Sequence, residues 1–412
     1  MATADPLLYW QDPQVDIGLH ALLVGVDHYR YGSGGASASS DGDGAAPPAF
    51  NIAELAAPAR TAWDLAQWLI NNRDRLSVPL KSIRLLASPA AAEIAREAAL
   101  AQLPAANFMN VRAAAHAWRN AAATSRANVT WFYFGGHGMQ RTKDATVLLL
   151  DDFQDPLGAP LAGTIEERNI YGGMGNLISL PELARTQWYF IDACRLDMPK
   201  LNRFEGHYSP TVFDVELHGK DDRSAPIFHA AAPGYPGWAI KGAQTRFGRD
   251  LLACLGGMGA EKLRHPDGTA GWYVTATKLY DAMAQMNQAF NRDYGDDART
   301  FTIENFNAKA VTLQICAIDG TPQVPCVLML APLEAAKLVS ITLAVVQDPS
   351  KVRVIEPPLS SPCAFTQDAG YYFIGGDFSA HPKPPYHNYP SEPVSVMPPS
   401  FDFPLHFQRA SP

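Results

Sequence analysis

The stretch NVTWFYFGG, residues 128–136, decides the fold class of this protein. Its aromatic and β-branched residues follow one another without regular polar alternation, which is typical of a strand covered on both faces. Such strands belong to parallel sheets that carry helices on either side. Five further segments are predicted as strands, namely HALLVGVDHYR (20–30), SIRLLAS (82–88), TVLLLDD (146–152), QWYFID (187–192) and PIFHAAA (226–232).

Helical patterns separate these predicted strands. In ELAAPARTAWDLAQWLI, residues 54–70, apolar side chains recur every three or four positions. The Ala-rich stretch 90–124, with an interruption near Leu103-Pro104, and residues 244–255 and 272–290 are also predicted to be helical. Strands that alternate with helices predict an α/β sandwich with a mostly parallel central sheet.

The character of the sequence changes near residue 293. Alternating patterns in 310–318, 325–331 and 339–346 predict an antiparallel, β-rich C-terminal region over residues 293–412. Its Pro-rich tail, after about residue 375, is predicted to have no core of its own. The α/β domain is therefore placed at 19–292, behind an N-terminal arm of residues 1–18, and it includes a flexible Gly/Ser loop at 31–50.

Composition excludes several classes of protein. The net charge of -8 over 412 residues, without any Lys/Arg-rich run, argues against nucleic-acid binding. The five cysteines are few and widely spaced, which argues against a disulfide scaffold, and no CxxC pair indicates zinc. Neither a secretory signal nor an apolar run long enough to span a bilayer is present, so we expect a cytoplasmic protein without a membrane partner.

Two predicted strands end in residues that are capable of catalysis. His137 follows the strand at 128–136 in a glycine-rich turn, and Cys194 follows the strand at 187–192. In parallel sheets, catalytic groups gather beyond the carboxyl ends of the strands. A neighbouring imidazole can remove the proton from a thiol and turn it into a nucleophile. The alternative is structural, because a free cysteine is often simply a small buried residue.

The glycines around His137 add to the catalytic interpretation. Gly135, Gly136 and Gly138 have no side chains, so a substrate backbone can approach them closely. The backbone N–H of Gly138, together with that of Cys194, is a candidate donor to the oxyanion of a tetrahedral intermediate.

These motifs resemble a known family. HALLVGVDHY, FYFGGHG and FIDAC are similar to the first strand, the histidine strand and the cysteine strand of the caspase and metacaspase clan of cysteine peptidases. The similarity covers residues 19–292, although Gly136 replaces the clan's more usual serine. The resemblance implies a caspase-like three-layer α/β/α sandwich in which Cys194 is the nucleophile and His137 the general base. It implies a cysteine endopeptidase that works through a thioester.

The resemblance also implies a substrate preference. Asp192 matches an acid that, in metacaspase-like members, helps to bind Arg or Lys before the scissile bond, whereas true caspases carry Gln there and cut after Asp. Where many metacaspases have a second acid, this chain has Thr61. Asp27 is the candidate that supplies the missing charge in substrate binding, and the alternative is that Asp27 caps a turn.

Several metacaspases need calcium, so the resemblance raises the question of whether this chain also binds calcium. Asp151, Asp152, Glu166, Glu167 and Asp197 are candidate oxygen ligands, although their spacing is unlike an EF-hand and acids of this kind often form a solvated face. No cofactor is therefore expected, with calcium activation as the alternative.

The segment after the nucleophile is a candidate for self-processing. It spans residues 196–226 and contains Lys200, Arg203, Lys220 and Arg223, so cleavage after one of these residues would fit the expected specificity. The expected partners are a protein or peptide substrate and an activating protein, in a regulated stress or defence effector. Whether the chain is a monomer or a dimer stays open, and the competing hypothesis is a catalytically idle scaffold or binding module.

Overall fold

The computed structural model describes most of the chain. It covers residues 7–10, 16–32, 52–142, 145–159, 161–197, 209–215, 221–233, 244–264, 267–295, 300–310 and 313–410. Its contacts divide the chain into two compact units, Met1–Leu252 with Met286–Leu313 and Ala253–Gln285 with Gln314–Pro412. The boundary at 292/293, which rests on a change of sequence character, stays a prediction, and most of the loop predicted at 31–50 lies outside the described residues.

Strands and helices of the described residues are numbered in chain order. The strands are β1 (Leu7–Trp10), β2 (Leu19–Val26), β3 (Leu80–Ser88), β4 (Val129–Gly136), β5 (Gly138–Thr142), β6 (Ala145–Leu149), β7 (Thr164–Glu166), β8 (Thr186–Ala193), β9 (Leu196–Asp197), β10 (Ile227–His229), β11 (Ala260–Arg264), β12 (Ala270–Thr275), β13 (Thr302–Glu304), β14 (Gln314–Ile318), β15 (Gln323–Ala331), β16 (Ser340–Val345), β17 (Asp348–Ile355), β18 (Cys363–Asp368), β19 (Gly370–Asp377), β20 (Tyr389–Val396) and β21 (Phe401–His406). The helices are α1 (Pro58–Asn71), α2 (Ala91–Ile94), α3 (Phe108–Ala122), α4 (Glu167–Gly173), α5 (Arg246–Ala253), α6 (Ala276–Tyr294) and α7 (Leu333–Ala336).

The first unit is built on a seven-stranded sheet with the order β1-β3-β2-β4-β8-β10-β13. Its five inner strands pair in parallel, and β1 and β13 close the two edges in antiparallel orientation. Every residue of β2, β3 and β4 is buried, because helices cover the sheet. The predicted α/β class with a mostly parallel sheet is therefore confirmed.

The two faces of the sheet carry different helices. Trp118 of α3 packs against Phe132 on one face, with their ring centroids 6.1 Å apart, and its indole N–H donates to the His20 carbonyl oxygen at 2.9 Å. Helix α1 covers the opposite face through its apolar stripe, and its residues Leu65 and Leu69 are fully buried. The helical spacing read in residues 54–70 is thus confirmed in α1.

Gly25 of β2 lets α1 lie directly on the sheet. A Cβ atom built on Gly25 would stand 2.6 Å from the Ala59 Cα and 2.7 Å from the Pro58 carbonyl oxygen. Both of these are backbone atoms at the start of α1, so no side chain can rotate away to make room. The first turn of α1 therefore depends on the missing side chain at this position.

Gly25→Ala should lower the free energy of unfolding by about 1–3 kcal/mol, because the added methyl group overpacks a rigid helix–strand contact. Urea unfolding followed by tryptophan fluorescence would measure this loss. Gly172→Ala is the matched control, since its nearest contact, 3.3 Å away, is a methyl group of the half-exposed Val215, which can move. Equal stability of the two variants would contradict the close contact between α1 and β2.

One predicted strand lies outside the central sheet. Residues 145–149 form β6, which belongs to a separate four-stranded sheet of order β7-β6-β5-β9. In this small sheet a single residue separates the end of β4 from the start of β5, and two residues separate the end of β8 from the start of β9. The small sheet therefore continues two strands of the central sheet at their carboxyl ends.

The second unit is rich in strands, as the sequence predicts. It holds sheets of order β11-β12-β14, β18-β15-β21 and β17-β16-β19-β20, in which all pairs are antiparallel except β15 with β21. The alternating pattern of 325–331 is confirmed in β15, where Cys326, Leu328 and Leu330 are buried and Met329 is half exposed.

Two sequence-based expectations about this unit are wrong. The helix predicted from residue 272 begins at Ala276, because residues 270–275 pair as β12 between β11 and β14. The tail after residue 375 does have a core, since it forms β20 and β21 and buries Val394, Val396 and Leu405. Alternating apolar residues among its prolines suffice to pair these strands.

Within the described ranges, none of the helices combines the length and the apolar character that crossing a membrane requires.

Candidate active site

His137 and Cys194 occupy equivalent places on two neighbouring strands. In the parallel pair of β4 and β8, Gly136 is the partner of Ala193, an offset of 57 residues. The pair of β5 and β9 has the same offset, with Met139 opposite Leu196. His137 and Cys194, also 57 residues apart, fall in the gap between these two ladders. The separation seen in the sequence is therefore the register of the sheet, which brings the two backbones side by side.

The His137 ring is oriented by main-chain atoms. Its Nε2 atom lies 2.8 Å from the Ala53 carbonyl oxygen, and its backbone N–H donates to the Tyr29 hydroxyl at 2.8 Å. A carbonyl oxygen can only accept, so Nε2 carries the proton in this contact. The lone pair of the neutral ring is then on Nδ1, which is the atom available to accept a proton.

Tyr29 supports the His137 turn. Its ring centroid lies 5.1 Å from that of His137, and its side chain is fully buried. Burial raises the pKa of Tyr29, the hydrogen bond from His137 opposes this, and the charges of Asp27 and Cys194 raise it further. The Tyr29 hydroxyl is therefore a neutral group that accepts the backbone N–H of His137.

Cys194 differs from the other cysteines in its exposure. It is partly exposed, whereas Cys254, Cys316, Cys326 and Cys363 are buried. Burial also raises the pKa of Cys326 to about 11, which keeps that thiol protonated. The interpretation of a cysteine as a small buried structural residue therefore fits the other four cysteines better than it fits Cys194.

Gly138 lies against the backbone of Cys194. A Cβ atom on Gly138 would stand 2.6 Å from the Cys194 carbonyl oxygen and 2.9 Å from the Ala193 Cβ. Only glycine leaves the two strands this close at the end of the central sheet. That the Gly138 N–H donates to an oxyanion stays a prediction.

Asp192 belongs to a buried network of hydroxyl groups. Its Oδ2 accepts a hydrogen bond from the Tyr133 hydroxyl at 2.8 Å and a second, short one from the Thr245 hydroxyl. The Thr245 backbone N–H donates to the Thr61 Oγ1 at 3.0 Å, which ties the start of α5 to α1. Desolvation, followed by the Asp192 charge, raises the pKa of Tyr133 well above its usual value, so this phenol stays a donor.

The network includes Thr61 and Thr245. The sequence alone gave no role to Thr245. Residue 61 is the position at which a second acid was expected from the resemblance, and a threonine hydroxyl occupies it beside Thr245. Asp192 stands near the end of β8, two residues before Cys194, and the hydroxyl groups around its carboxylate connect it to Thr61 of α1.

Asp27 has a different environment. Its side chain is fully buried, and its two carboxylate oxygens accept backbone N–H groups from Ala59 at 3.0 Å and Ala90 at 3.3 Å. Burial raises the pKa of Asp27 to about 7. These contacts fit the alternative in which Asp27 caps local structure, here the first turn of α1, while its predicted part in substrate binding stays a prediction.

Three of the acids proposed as calcium ligands have protein partners. Asp151 accepts from the Ser88 hydroxyl at 2.7 Å, Asp152 from the Phe108 backbone N–H at 3.1 Å, and Glu166 lies 3.6 Å from Arg141. Among the residues that the structure describes, no group of three or more His, Cys, Asp or Glu side chains is arranged to hold a metal ion. The side chain of Asp197 lies outside the described residues. Calcium activation stays a prediction.

A second cluster of charged and polar side chains, which the sequence analysis missed, includes Arg195, the residue that follows Cys194. The Arg195 guanidinium donates to the Glu304 carboxylate at 2.9 Å and to the Gln140 side chain at 3.1 Å. His229, fully buried at the end of β10, has its Nε2 3.4 Å from Glu304 and 3.5 Å from Glu167. Desolvation, with a smaller contribution from Arg195, lowers the pKa of His229 to about 3, so its ring is neutral.

Of the four residues proposed as self-processing sites, Arg223 is the one that lies within the described part of the chain. Arg223 is buried, and its guanidinium donates to Asp221 at 2.7 Å, to the Tyr171 carbonyl oxygen at 3.0 Å and to Gln187 at 3.0 Å. Cleavage after Arg223 would require this side chain to leave all of these partners. Lys200, Arg203 and Lys220 lie outside the described residues.

The environment of His137 predicts how kcat/KM falls at acidic pH for any reaction in which His137 is the base. Desolvation lowers the pKa of His137 below 6.5, against the opposing effect of the Ala53 hydrogen bond. A general base must be neutral, so kcat/KM should stay high at pH 6.5 and fall only at more acidic pH. A pH profile of kcat/KM on one peptide measures this. A midpoint above pH 6.5 would contradict the partly buried, neutral imidazole.

Comparisons with known proteins yield structural similarities only. No protein-family model and no curated protein matches the sequence. Protein GSU0716 from Geobacter sulfurreducens is similar in structure with a TM-score of 0.40 and 12% identity, over 72% of this chain and 97% of that one. Caspase-1 from Spodoptera frugiperda is similar with a TM-score of 0.38 and 12% identity, over 71% of this chain and 88% of its own.

Proposed function

We propose that this chain is a cysteine endopeptidase in which Cys194 is the nucleophile and His137 the general base. The observation that carries the proposal is the common register of the two residues at the ends of β4 and β8. The hydrogen bond of the His137 Nε2 to Ala53 supports it, because this bond selects the tautomer with a basic Nδ1.

The reaction begins with activation of the thiol. The His137 Nδ1 takes the proton from the Cys194 sulfur, and the thiolate attacks the carbonyl carbon of the scissile peptide bond. The electron pair of the C=O bond moves onto its oxygen, where the N–H groups of Gly138 and Cys194 are the proposed donors. A tetrahedral intermediate with a C–S bond results.

Collapse of this intermediate divides the peptide. The C–N bond breaks, and the imidazolium of His137 gives its proton to the leaving amine, so the enzyme holds the acyl group as a thioester. A water molecule then loses a proton to the neutral His137 and attacks the thioester. The second tetrahedral intermediate expels the thiolate, which recovers a proton, and releases the carboxylic acid.

Asp192 is the residue that we propose to select the substrate. Its carboxylate lies two residues before the nucleophile and accepts hydrogen bonds from the neutral hydroxyl groups of Tyr133 and Thr245. An Arg or Lys side chain before the scissile bond would bring a cation to this charge, and such charge-assisted bonds are roughly twice as strong as neutral ones. Cleavage after Arg or Lys follows.

The proposal is tested with fluorogenic peptides that differ only in the residue before the scissile bond, with calcium and with chelator. Turnover after Arg or Lys supports it. Turnover after Asp alone would overturn the assignment of Asp192 while keeping the nucleophile. If no peptide is turned over, and an electrophilic peptide probe also fails to label Cys194, the chain is an idle scaffold. Labelling without turnover would indicate an enzyme that requires its activating partner.

Asp192→Asn should reduce kcat/KM for the best Arg peptide by about tenfold or more, because a charge-assisted contact contributes roughly 1.5–3 kcal/mol. Peptides with a neutral residue in the same place should lose much less, which a side-by-side kinetic comparison measures. Asp64→Asn is the matched control, a partly buried acid of α1 that bonds to Arg60 and Gln244. An equal loss on all peptides would show that Asp192 supports structure rather than specificity.

A further inference from the structure

A cavity of about 560 Å³ opens at the end of the sheet opposite to Cys194. It lies at the amino ends of β2 and β3 and beyond the last turn of α3, and its wall includes Trp10, Asp16, Ile17, His20, Lys81 and Thr124. Volumes of 300–1,000 Å³ are typical of small-molecule sites. β2 is eight residues long, so this cavity lies roughly 25 Å from the catalytic ends of the strands, at about 3.3 Å per residue.

His20 gives the cavity an unsatisfied polar atom. Its side chain is 1% exposed and its Nδ1 lies 2.8 Å from the Ser82 hydroxyl. The other ring nitrogen, Nε2, is buried and has no hydrogen-bond partner within the described part of the chain. A buried polar atom without a partner costs roughly 1–3 kcal/mol, so a ligand that bonds to it would recover this energy.

Lys81 adds a positive charge whose partner is weak. It is 8% exposed, and the described contact of its ammonium group is the Asp16 backbone carbonyl oxygen at 3.5 Å. Asp16, whose carbonyl oxygen makes this contact, also lines the cavity. Desolvation first, then the charges of Lys81 and Arg84, lower the pKa of His20 to about 4, so its ring is neutral.

The same wall carries exposed apolar groups. The Trp10 side chain is 47% exposed and Ile17 is 40% exposed. Large apolar groups beside a small number of polar ones are the usual composition of a ligand pocket, in which the apolar surface supplies affinity and the polar groups fix orientation. The indole face of Trp10 is suited to stack on a flat ring.

We propose that this cavity binds a small organic carboxylate with an aromatic body. The carboxylate takes the charge of Lys81 and a hydrogen bond from the Nε2–H of neutral His20, and the ring lies against Trp10 and Ile17. The site is separate from the catalytic residues and does not depend on the proposed peptidase activity. A neutral His20 is a donor at Nε2 when the Ser82 hydroxyl donates to Nδ1, so both ring nitrogens are then satisfied.

Binding of 3-phenylpropionate to the full chain, measured by isothermal titration calorimetry, tests the proposal. The alcohol 3-phenylpropan-1-ol and the amine 3-phenylpropylamine are the neutral and cationic probes, and inorganic phosphate is the anion without a ring. The carboxylate should bind saturably and about tenfold or more tighter than either organic probe, since a charged partner adds at least one factor of ten.

Two variants locate the site. Lys81→Met should remove the preference for the carboxylate over the alcohol, and Trp10→Ala, at a half-exposed position, should weaken the carboxylate and the alcohol alike. Lys278→Met, which removes an exposed ammonium 3.6 Å from Asp281, is the control that should change neither. The proposal is overturned if the carboxylate does not saturate, if the amine binds as well, if phosphate binds as tightly, or if Lys81→Met leaves the preference unchanged.

Discussion

Replacement of Cys194 by alanine should abolish peptide cleavage, with a fall in kcat/KM of at least about 10³-fold on the best substrate of the peptide library. Removing the nucleophile of a hydrolase leaves only the rate enhancement that binding and oxyanion stabilisation supply, so the loss is of this order or greater. The measurement is the initial rate of release of the fluorogenic group, with wild type and variant at equal concentration and with active-site titration of the wild type.

Cys254→Ala is the control for this experiment. Cys254 is a fully buried thiol of the second unit. Its replacement therefore removes a cysteine without changing any residue at the ends of β4 and β8. Activity should persist in Cys254→Ala, and an electrophilic peptide probe should label the wild type and this control but not Cys194→Ala. Residual turnover of Cys194→Ala close to wild type would remove Cys194 from the reaction.

Replacement of His137 by asparagine should lower kcat/KM by about 10²- to 10⁴-fold, which is the range that general acid–base catalysis contributes. Asparagine can keep a donor toward the Ala53 carbonyl oxygen, but it has no basic atom to take the thiol proton. The loss should shrink as pH rises, because hydroxide then forms the Cys194 thiolate without help from the imidazole. A pH–rate comparison of variant and wild type measures both effects.

His116→Asn is a closely matched control for the histidine variant. The His116 Nε2 also lies 2.8 Å from a carbonyl oxygen, that of Val212, but the residue is on α3 and far from the strand ends in the chain's topology. Asparagine there changes the same kind of contact with a carbonyl oxygen without removing the proposed base. If both variants lose activity equally, the effect of His137 is structural and the proposed mechanism fails.

The strand architecture could be predicted because its signals are local. The apolar runs around residues 20–26, 82–88, 129–136 and 186–193 each specify a buried strand by themselves, and the helical spacing of α1 lies within one segment. The errors arose where a segment's partner decides its state. Residues 272–275 have enough apolar character for a helix, but pairing with β11 and β14 makes them a strand.

The placement of β6 shows the same limit. Its residues read like those of β4, yet it pairs with β5 and β7 in a small separate sheet. Apolar character records that a strand is buried and does not record which neighbour it pairs with. The tail was misjudged for a related reason, since prolines in β20 and β21 obscured the alternating residues that bury its core.

The sequence by itself determined that a histidine and a cysteine each follow a buried strand, because both the strand and its end are written in consecutive residues. Only the tertiary structure decided that their separation of 57 residues equals the register of β4 and β8. It alone showed that the Ala53 carbonyl oxygen orients the imidazole and that Thr245 shares the Asp192 charge. The physical reason is that these hydrogen bonds join segments far apart in the chain, and a main-chain carbonyl has no side chain by which a sequence could mark it.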